Sequence, residues 1–184
     1  SFLPGMAIGT GAATLAGQYL GARAPHLARR AIVRCSVLTS VIMGLAGLVF
    51  VLAPGWVVSL ISTQPSHMEM APSLLFITGW VQIPFGLSIV LRSALRGAGD
   101  AKAVAYIMWA STYGPRLPLA YLLSGVDIPV PEFLAGRPGV FIDHPLFDDA
   151  SLSRVWIALC AEIVIRGGLY VWRFWQGKWQ TAKV

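Results

Sequence analysis

Three charged side chains stand where charge is expensive. Arg116, Glu162 and Arg166 fall inside long apolar stretches, and a charge at the centre of a bilayer costs about 2.5 to 3.5 kcal/mol on insertion scales, so each needs a partner or a task. Glu162 and Arg166 are spaced four apart, which puts an acid and a base on one face of a helix. Arg116 and Glu162 each lie about eight residues from the ends of their stretches at Ser124 and Arg154, roughly 12 Å deep at 1.5 Å per residue, so the two can meet. Such a set can pin two helices together, or it can bind and gate a charged solute. Gln82 and Pro84 form a second candidate. A proline removes one backbone donor and kinks a helix, and Gln82 offers an amide beside the kink, where the bent helices of transporters meet substrate.

The chemistry of catalysis has little to work with. His26, His67 and His144 lie in three different connecting segments, and the chain holds no Gly-x-Ser-x-Gly, no His-Glu-x-x-His and no glycine-rich loop ending in Gly-Lys-Ser/Thr. We therefore expect neither an enzyme nor an ATP-driven pump. Cys35 and Cys160 sit in apolar surroundings without a Cys-x-x-Cys or a His-plus-acid cluster, so no metal site and no disulfide framework is expected.

The elements that must position these residues are helices in a membrane. A chain of 184 residues that is 56% hydrophobic and 12% charged has too little polar surface to cover a soluble globule. A lipid bilayer is thus the first expected partner. The formal charge of +6 is dispersed through short connections without a basic face, so nucleic acid is not expected. Apolar stretches at residues 2–20, 35–53, 71–91, 103–124 and 155–175 are each long enough to cross about 30 Å of hydrocarbon as a helix, and they lack the alternation of a barrel strand. The fold class expected is all-α, a polytopic transmembrane bundle of about five helices.

Basic residues set the orientation. Arg23, Arg29, Arg30 and Arg34 follow the first stretch, Arg92, Arg96 and Lys102 follow the third, and Arg173, Lys178 and Lys183 close the chain. The positive-inside rule puts these three regions, and the C-terminus, in the cytoplasm. The two remaining connections hold only Arg137 and Arg154 against six acids, Glu69, Asp127, Glu132, Asp143, Asp148 and Asp149. Trp56, Trp156, Trp172, Trp175 and Trp179 lie near the ends of the stretches, as interfacial anchors do. Five crossings leave Ser1 outside, and the chain opens with neither an initiator Met nor a basic leader, so at least one upstream helix is expected. Gly5, Gly9, Ala13, Gly17 and Gly21 recur every four residues, a stripe that lets another helix come close. Asp100 is read as the N-cap of the fourth helix, with Gly97 and Gly99 making the turn before it.

Four segments then resemble one family. The run GAATLAGQYLGARAPHLARR from Gly11 to Arg30 looks like the second helix of a lobe in the multidrug and toxic compound extrusion (MATE) transporters, and LRGAGDAK from Leu95 to Lys102 resembles the family's Leu-Arg-Gly-x-Gly-Asp loop. RLPLAYLL from Arg116 to Leu123 and RFWQGKW from Arg173 to Trp179 are similar to its later Arg-x-Pro-Leu-Ala-Tyr helix and its closing tail. The order is the family's order over nearly the whole chain. The resemblance implies helices eight to twelve of a two-lobe, twelve-helix transporter, with the N-terminal lobe of the same protein as a partner. It implies ion-coupled antiport of small amphipathic cationic xenobiotics across the plasma membrane, by alternating access of the two lobes. A lipid-linked oligosaccharide or polyisoprenoid flippase and a non-transporting membrane scaffold are the alternatives. No organic cofactor is implied. The coupling ion would be H+ or Na+, and because Gln82 is followed by Ile83, Pro84, Phe85 and Gly86 rather than by an acid, its site is expected outside these residues. The connection from Gly125 to Ser153 is longer than the resemblance leads one to expect.

Overall fold

Helices stand at each of the five apolar stretches, but their ends and breaks depart from the sequence reading in ways that shape the site. The computed structural model describes residues 2–62, 64–129, 141–142, 146–147 and 151–181. Helix α1 (Phe2–Gly21) fills the first stretch. It ends in a tight turn where Arg23 takes φ 55° and the Ala24 amide donates to the Tyr19 carbonyl at 2.8 Å. Pro25 then opens α2 (Pro25–Leu52), a position where its fixed φ suits a helix and its missing N–H costs nothing. This helix starts ten residues ahead of the expected span. Arg29, Arg30 and Arg34 are therefore in its first turns and not in a loop, because 28 residues make about 42 Å, more than the hydrocarbon needs.

The third expected span is two helices. After the short α3 (Pro54–Ile61), α4 (Pro65–Trp80) and α5 (Gln82–Gly97) meet at Val81 with a bend of 60°. Pro84 causes the break one turn upstream of itself: its ring displaces the carbonyl of Trp80, four residues earlier, and the helix restarts around it. Pro84 thus sits in the first turn of α5, where its lack of a donor is harmless, and not at mid-helix as the sequence suggested. The fourth expected span comprises α6 (Ala101–Ser111), a π-helical turn (Thr112–Arg116) and α7 (Leu117–Ser124). Pro115 inside that turn removes a donor from the ladder, and the wider turn absorbs the loss. The last helix, α8 (Leu152–Trp175), matches its stretch closely and is followed by a 3-10 turn (Lys178–Thr181). Between α7 and α8, β1 (Ile128–Pro129) pairs antiparallel with β2 (Phe141–Ile142). Most of the long connection, with Glu132, Arg137, Asp143, His144, Asp148 and Asp149, and Lys183 in the tail, lies outside the described residues.

Small residues set how the helices pack. A Cβ added at Gly5 would touch the Ile89 side chain at 3.4 Å, one at Gly9 would meet the Ser93 Oγ at 3.1 Å, and one at Gly97 would fall on the backbone of Ala13. The stripe on α1 is thus a contact face for α5, with the two helices running in the same sense. Gly21, at its end, has nothing within 4 Å of that position. Gly47 of α2 and Gly79 of α4 cross as closely, and the Gly47 position also abuts Gln82 at the bend. Ala12, Ala16, Ile32, Val90, Leu95 and Tyr170 fill the core between α1, α2, α5 and α8.

The outer faces are apolar as well. Val37, Leu38, Val41, Leu45 and Leu48 along α2 are exposed, as are Trp80, Trp109 and Trp175. A surface of this kind is covered by lipid. Among the described residues, α2 and α8 are each long and apolar enough to cross a membrane, and the bent pair α4–α5 makes a third span if counted as one. The molecule is an all-α, multi-pass membrane protein.

Asp100 does not cap α6. Its carboxylate makes no cap bond and instead receives two hydrogen bonds from Arg173 of α8, Nε to Oδ2 at 2.7 Å and Nη2 to Oδ1 at 3.0 Å. The planar guanidinium outcompetes the helix end because it satisfies both carboxylate oxygens at once. Arg173 Nη1 also donates to Gln176 Oε1 at 3.1 Å. Trp179 folds back to stack on Phe174, ring centroids 5.3 Å apart, and its Nε1 donates to the Phe174 carbonyl. The two sequence motifs at Leu95–Lys102 and Arg173–Trp179 are therefore two halves of one clasp.

Candidate functional site

The candidate site is built on α8 because Glu162, Arg166 and Tyr170 repeat every four residues and so share one face. Glu162 is 1% exposed and Tyr170 is fully buried. Arg166 Nε lies 3.4 Å from Glu162 Oε1, close enough for an ion pair but without hydrogen-bond geometry, so that oxygen has no hydrogen-bond partner. Ion pairing thus occurs within α8, and the pair that the depth argument suggested, Arg116 with Glu162, is not within 4.0 Å.

Arg116 is nonetheless close by. It lines, with Glu162 and Arg166, a cavity of about 180 Å³ whose other walls are Thr78, Trp156, Leu159, Cys160 and Ile163. The π turn carries Arg116 toward this cavity, and the wall opposite is tied by Trp156 Nε1, which donates to Thr78 Oγ1 at 2.8 Å. The Thr78 hydroxyl in turn donates a hydrogen bond to the Leu74 carbonyl at 2.7 Å, so α4 and α8 are joined one turn before the bend.

Arg166 faces two spaces. On its other side is a smaller cavity of about 140 Å³ lined by Phe2, Phe85, Ser88, Ile89, Arg92, Arg166 and Tyr170. Gly167 makes room for this arrangement: a Cβ there would lie 3.1 Å from the Pro84 carbonyl and 3.2 Å from the Ser88 Oγ. Pro84 therefore contributes through its carbonyl and the bend, while Gln82, 1% exposed, is packed against Gly47; neither lines either cavity. The five sequence candidates thus divide into two groups. Arg116, Glu162 and Arg166 come together, and Gln82 and Pro84 shape the hinge beside them.

Arg92 and Tyr170 were not singled out from sequence. Arg92 ends an uncharged run and reads as a loop flank, but α5 continues to Gly97, and the neighbouring contact of Ser93 with Gly9 sets Arg92 about 18 Å from the end of α1. The spacing of Tyr170 from Arg166 was the available signal. Among the described residues no group of three His, Cys, Asp or Glu side chains could hold a metal ion. A third space, of about 520 Å³, is an open apolar groove between α2, α5 and α8 walled by residues such as Val37, Val41, Leu87 and Trp175.

The family model described as MatE matches residues 1–122. Along the whole chain, the sequence is 24% identical to a probable multidrug resistance protein NorM of Thermotoga maritima, covering 35% of that protein. It is 30% identical over 95% of the chain to the multidrug resistance protein NorM of Burkholderia vietnamiensis, covering 34% of it. An uncharacterized transporter of Bacillus subtilis, YisQ, is 25% identical over 95% of the chain, with 33% of its length covered. The chain thus spans about a third of the length of these relatives.

Proposed function

The chain belongs to the MatE family, and from that premise we propose that it forms part of a secondary active transporter that exports amphipathic organic molecules across the plasma membrane. Entry of H+ or Na+ supplies the driving force, and two helical lobes, of which these helices make up most of one, alternate access to a site between them. The task is transport and not catalysis. The C-terminus lies in the cytoplasm, a reading supported by the common direction of α1, α5 and α8, which all end near basic residues.

The observation that carries the reading is the broken pair α4–α5, bent by 60° beside a buried acid and its partly buried base. Interrupted helices next to intramembrane charge are where transporters hold solutes, since the freed backbone and the charge both face a cavity and not lipid. Two of the relatives are named for multidrug resistance, which supports the substrate class proposed. The coupling ion binds outside the described residues, in keeping with the non-acidic run after Gln82.

The test uses the full protein that carries this sequence, in inside-out membrane vesicles with an imposed proton or sodium gradient. Gradient-driven accumulation of a fluorescent amphipath, abolished by collapsing that gradient, is the expected result. Accumulation that ignores both gradients, or none at all with protein present, overturns the reading.

A further inference from the structure

A basic cluster and an apolar groove meet at one residue. Arg29, Arg30, Val33 and Arg34, in the first turns of α2, border an open space of about 340 Å³. Val33 is also a wall residue of the groove of about 520 Å³ between α2, α5 and α8. From there the groove follows α2 to Val41, about 12 Å at 1.5 Å per residue. Helix α5 runs antiparallel beside it, since Gly47 abuts Gln82 and Gly86 abuts Thr39, so its wall residues pass from Leu91 near the basic end to Ile83 next to the bend.

The walls change character in order along this path. The three guanidiniums are exposed, and among the described residues none lies within 4.0 Å of a carboxylate. About 3 Å beyond Arg34 along the helix axis comes Ser36, 9% exposed, which lines the groove and whose Oγ is buried without a hydrogen-bond partner. Ser40, one turn on, is satisfied by the Ser36 carbonyl at 2.8 Å. A buried hydroxyl left unpaired is uncommon and asks for an acceptor. Beyond it the walls are almost wholly hydrocarbon.

We propose that this path is a binding site for one anionic phospholipid: the phosphate lies on Arg29, Arg30 and Arg34, an ester carbonyl accepts from the Ser36 hydroxyl, and one acyl chain lies in the groove as far as Ile83. Cation, donor and hydrocarbon follow one another as phosphate, ester and chain do in the lipid. Guanidinium groups match phosphate oxygens in charge and in geometry, and basic pockets between transmembrane helices suit anionic head groups. A further helix laid in the groove would cover its apolar wall but leave the hydroxyl and the three cations unanswered. A zwitterionic lipid supplies the ester without the net negative charge.

The test is native mass spectrometry of the full protein that carries this sequence, released from maltoside micelles after incubation with equal amounts of phosphatidylglycerol and phosphatidylcholine of identical chains. Phosphatidylglycerol should be retained about tenfold more than phosphatidylcholine, and Arg30→Gln with Arg34→Gln should bring it down to the level of phosphatidylcholine while changing the latter by less than about twofold. Val37→Trp fills the groove from a position that is 59% exposed, so the variant folds even if the double arginine variant does not, and it should lower the retention of both lipids about tenfold. Ser36→Ala should lower both about threefold, since both carry the ester. Equal retention of the two lipids, or a preference that survives the arginine substitutions, overturns the proposal. If an excess of inorganic phosphate displaces phosphatidylglycerol, or Val37→Trp leaves its retention intact, the cluster is a site for a free anion and the lipid assignment falls. Retention of neither lipid by the parent protein means that a helix of the full chain fills the groove, and it overturns the proposal as well. Lipid retention is read without transport, so each result stands apart from the export reading.

Discussion

The C-terminal end of α8 and its middle carry the same kind of charge pair in opposite settings. Near Trp175 the Arg173 guanidinium makes two short bonds to Asp100 across helices, Phe174 and Trp179 close over the core, and the open groove beside Phe174 has no charged residue on its walls. At the middle of the helix the Glu162–Arg166 pair stays within one helix at 3.4 Å, with room on both sides. Geometry that uses up every donor and acceptor makes a fastener. A pair with unmet bonding capacity beside empty volume can exchange partners, and that is what a binding site needs.

If the Asp100 end is a fastener, damage there should be read in stability, and the largest effect belongs to the glycine that lets α5 reach α1. Gly97→Val places a side chain on the Ala13 backbone, which cannot yield as a flexible side chain could. We expect a loss of about 3 kcal/mol or more, seen as failure to recover monodisperse protein in detergent. Gly11→Ala, on α1 but off the contact stripe, has open space around it and should be neutral in the same assay. Equal behaviour of the two variants would break the comparison at its base.

Asp100→Asn comes next. It removes the charge on one side of the clasp while Arg173 remains partly enclosed, its side chain 20% exposed. Because that exposure lets water screen the orphaned guanidinium, the expected cost is about 2 kcal/mol and not the larger penalty of a fully buried pair. A drop of several degrees in thermal midpoint, with binding of substrate per folded molecule unchanged, would support the division of roles. Altered binding at unaltered stability would reverse it.

Trp156→Phe tests the wall between the bend and the cavity. The ring packing persists and only the bond to Thr78 Oγ1 is lost, so about 1 kcal/mol of stability is expected to go. The substitution sharpens the comparison because this bond joins α4 to α8 on the wall of the cavity beside Glu162. A loss as large as that of Asp100→Asn would mean that the open region is fastened too.

How much of this was legible in the chain depends on the distance over which the cause acts. The helices α1 and α8 and the contact stripe of glycines were readable, since apolarity and four-residue spacing are local. The break at Val81 was not, because the apolar run passes through it unbroken and the agent, Pro84, acts on the carbonyl four residues back. Asp100 has a good capping residue's chemistry, and nothing near it announces that Arg173, 73 residues away, will claim both oxygens. Arg92 looked like the end of a span because a charge marks one. Only the register of α5 against α1, fixed by Gly9 and Ser93, shows how deep it lies. Arg116, Glu162 and Arg166 were recognisable by their cost in a membrane, yet which of the two bases pairs with the acid was a matter of a π turn that Pro115 sets.

Glu162→Gln is expected to have the smallest effect on stability and the most informative one on function. Glutamine keeps the shape of the side chain, its amide can share the space beside Arg166, and water in the two cavities that Arg166 borders screens the charge left behind, so about 1 kcal/mol at most is at stake. The charge balance of the two cavities changes far more, since the acid that offset one of three guanidiniums is gone. Arg166 is then released from its one described partner, and a transporter whose states are no longer balanced cycles poorly. We expect gradient-driven export of the fluorescent amphipath in vesicles to fall about tenfold, at nearly unchanged thermal midpoint. A collapse of yield matching that of Asp100→Asn would show that both charge pairs on α8 are fasteners, and the contrast between its end and its middle would disappear.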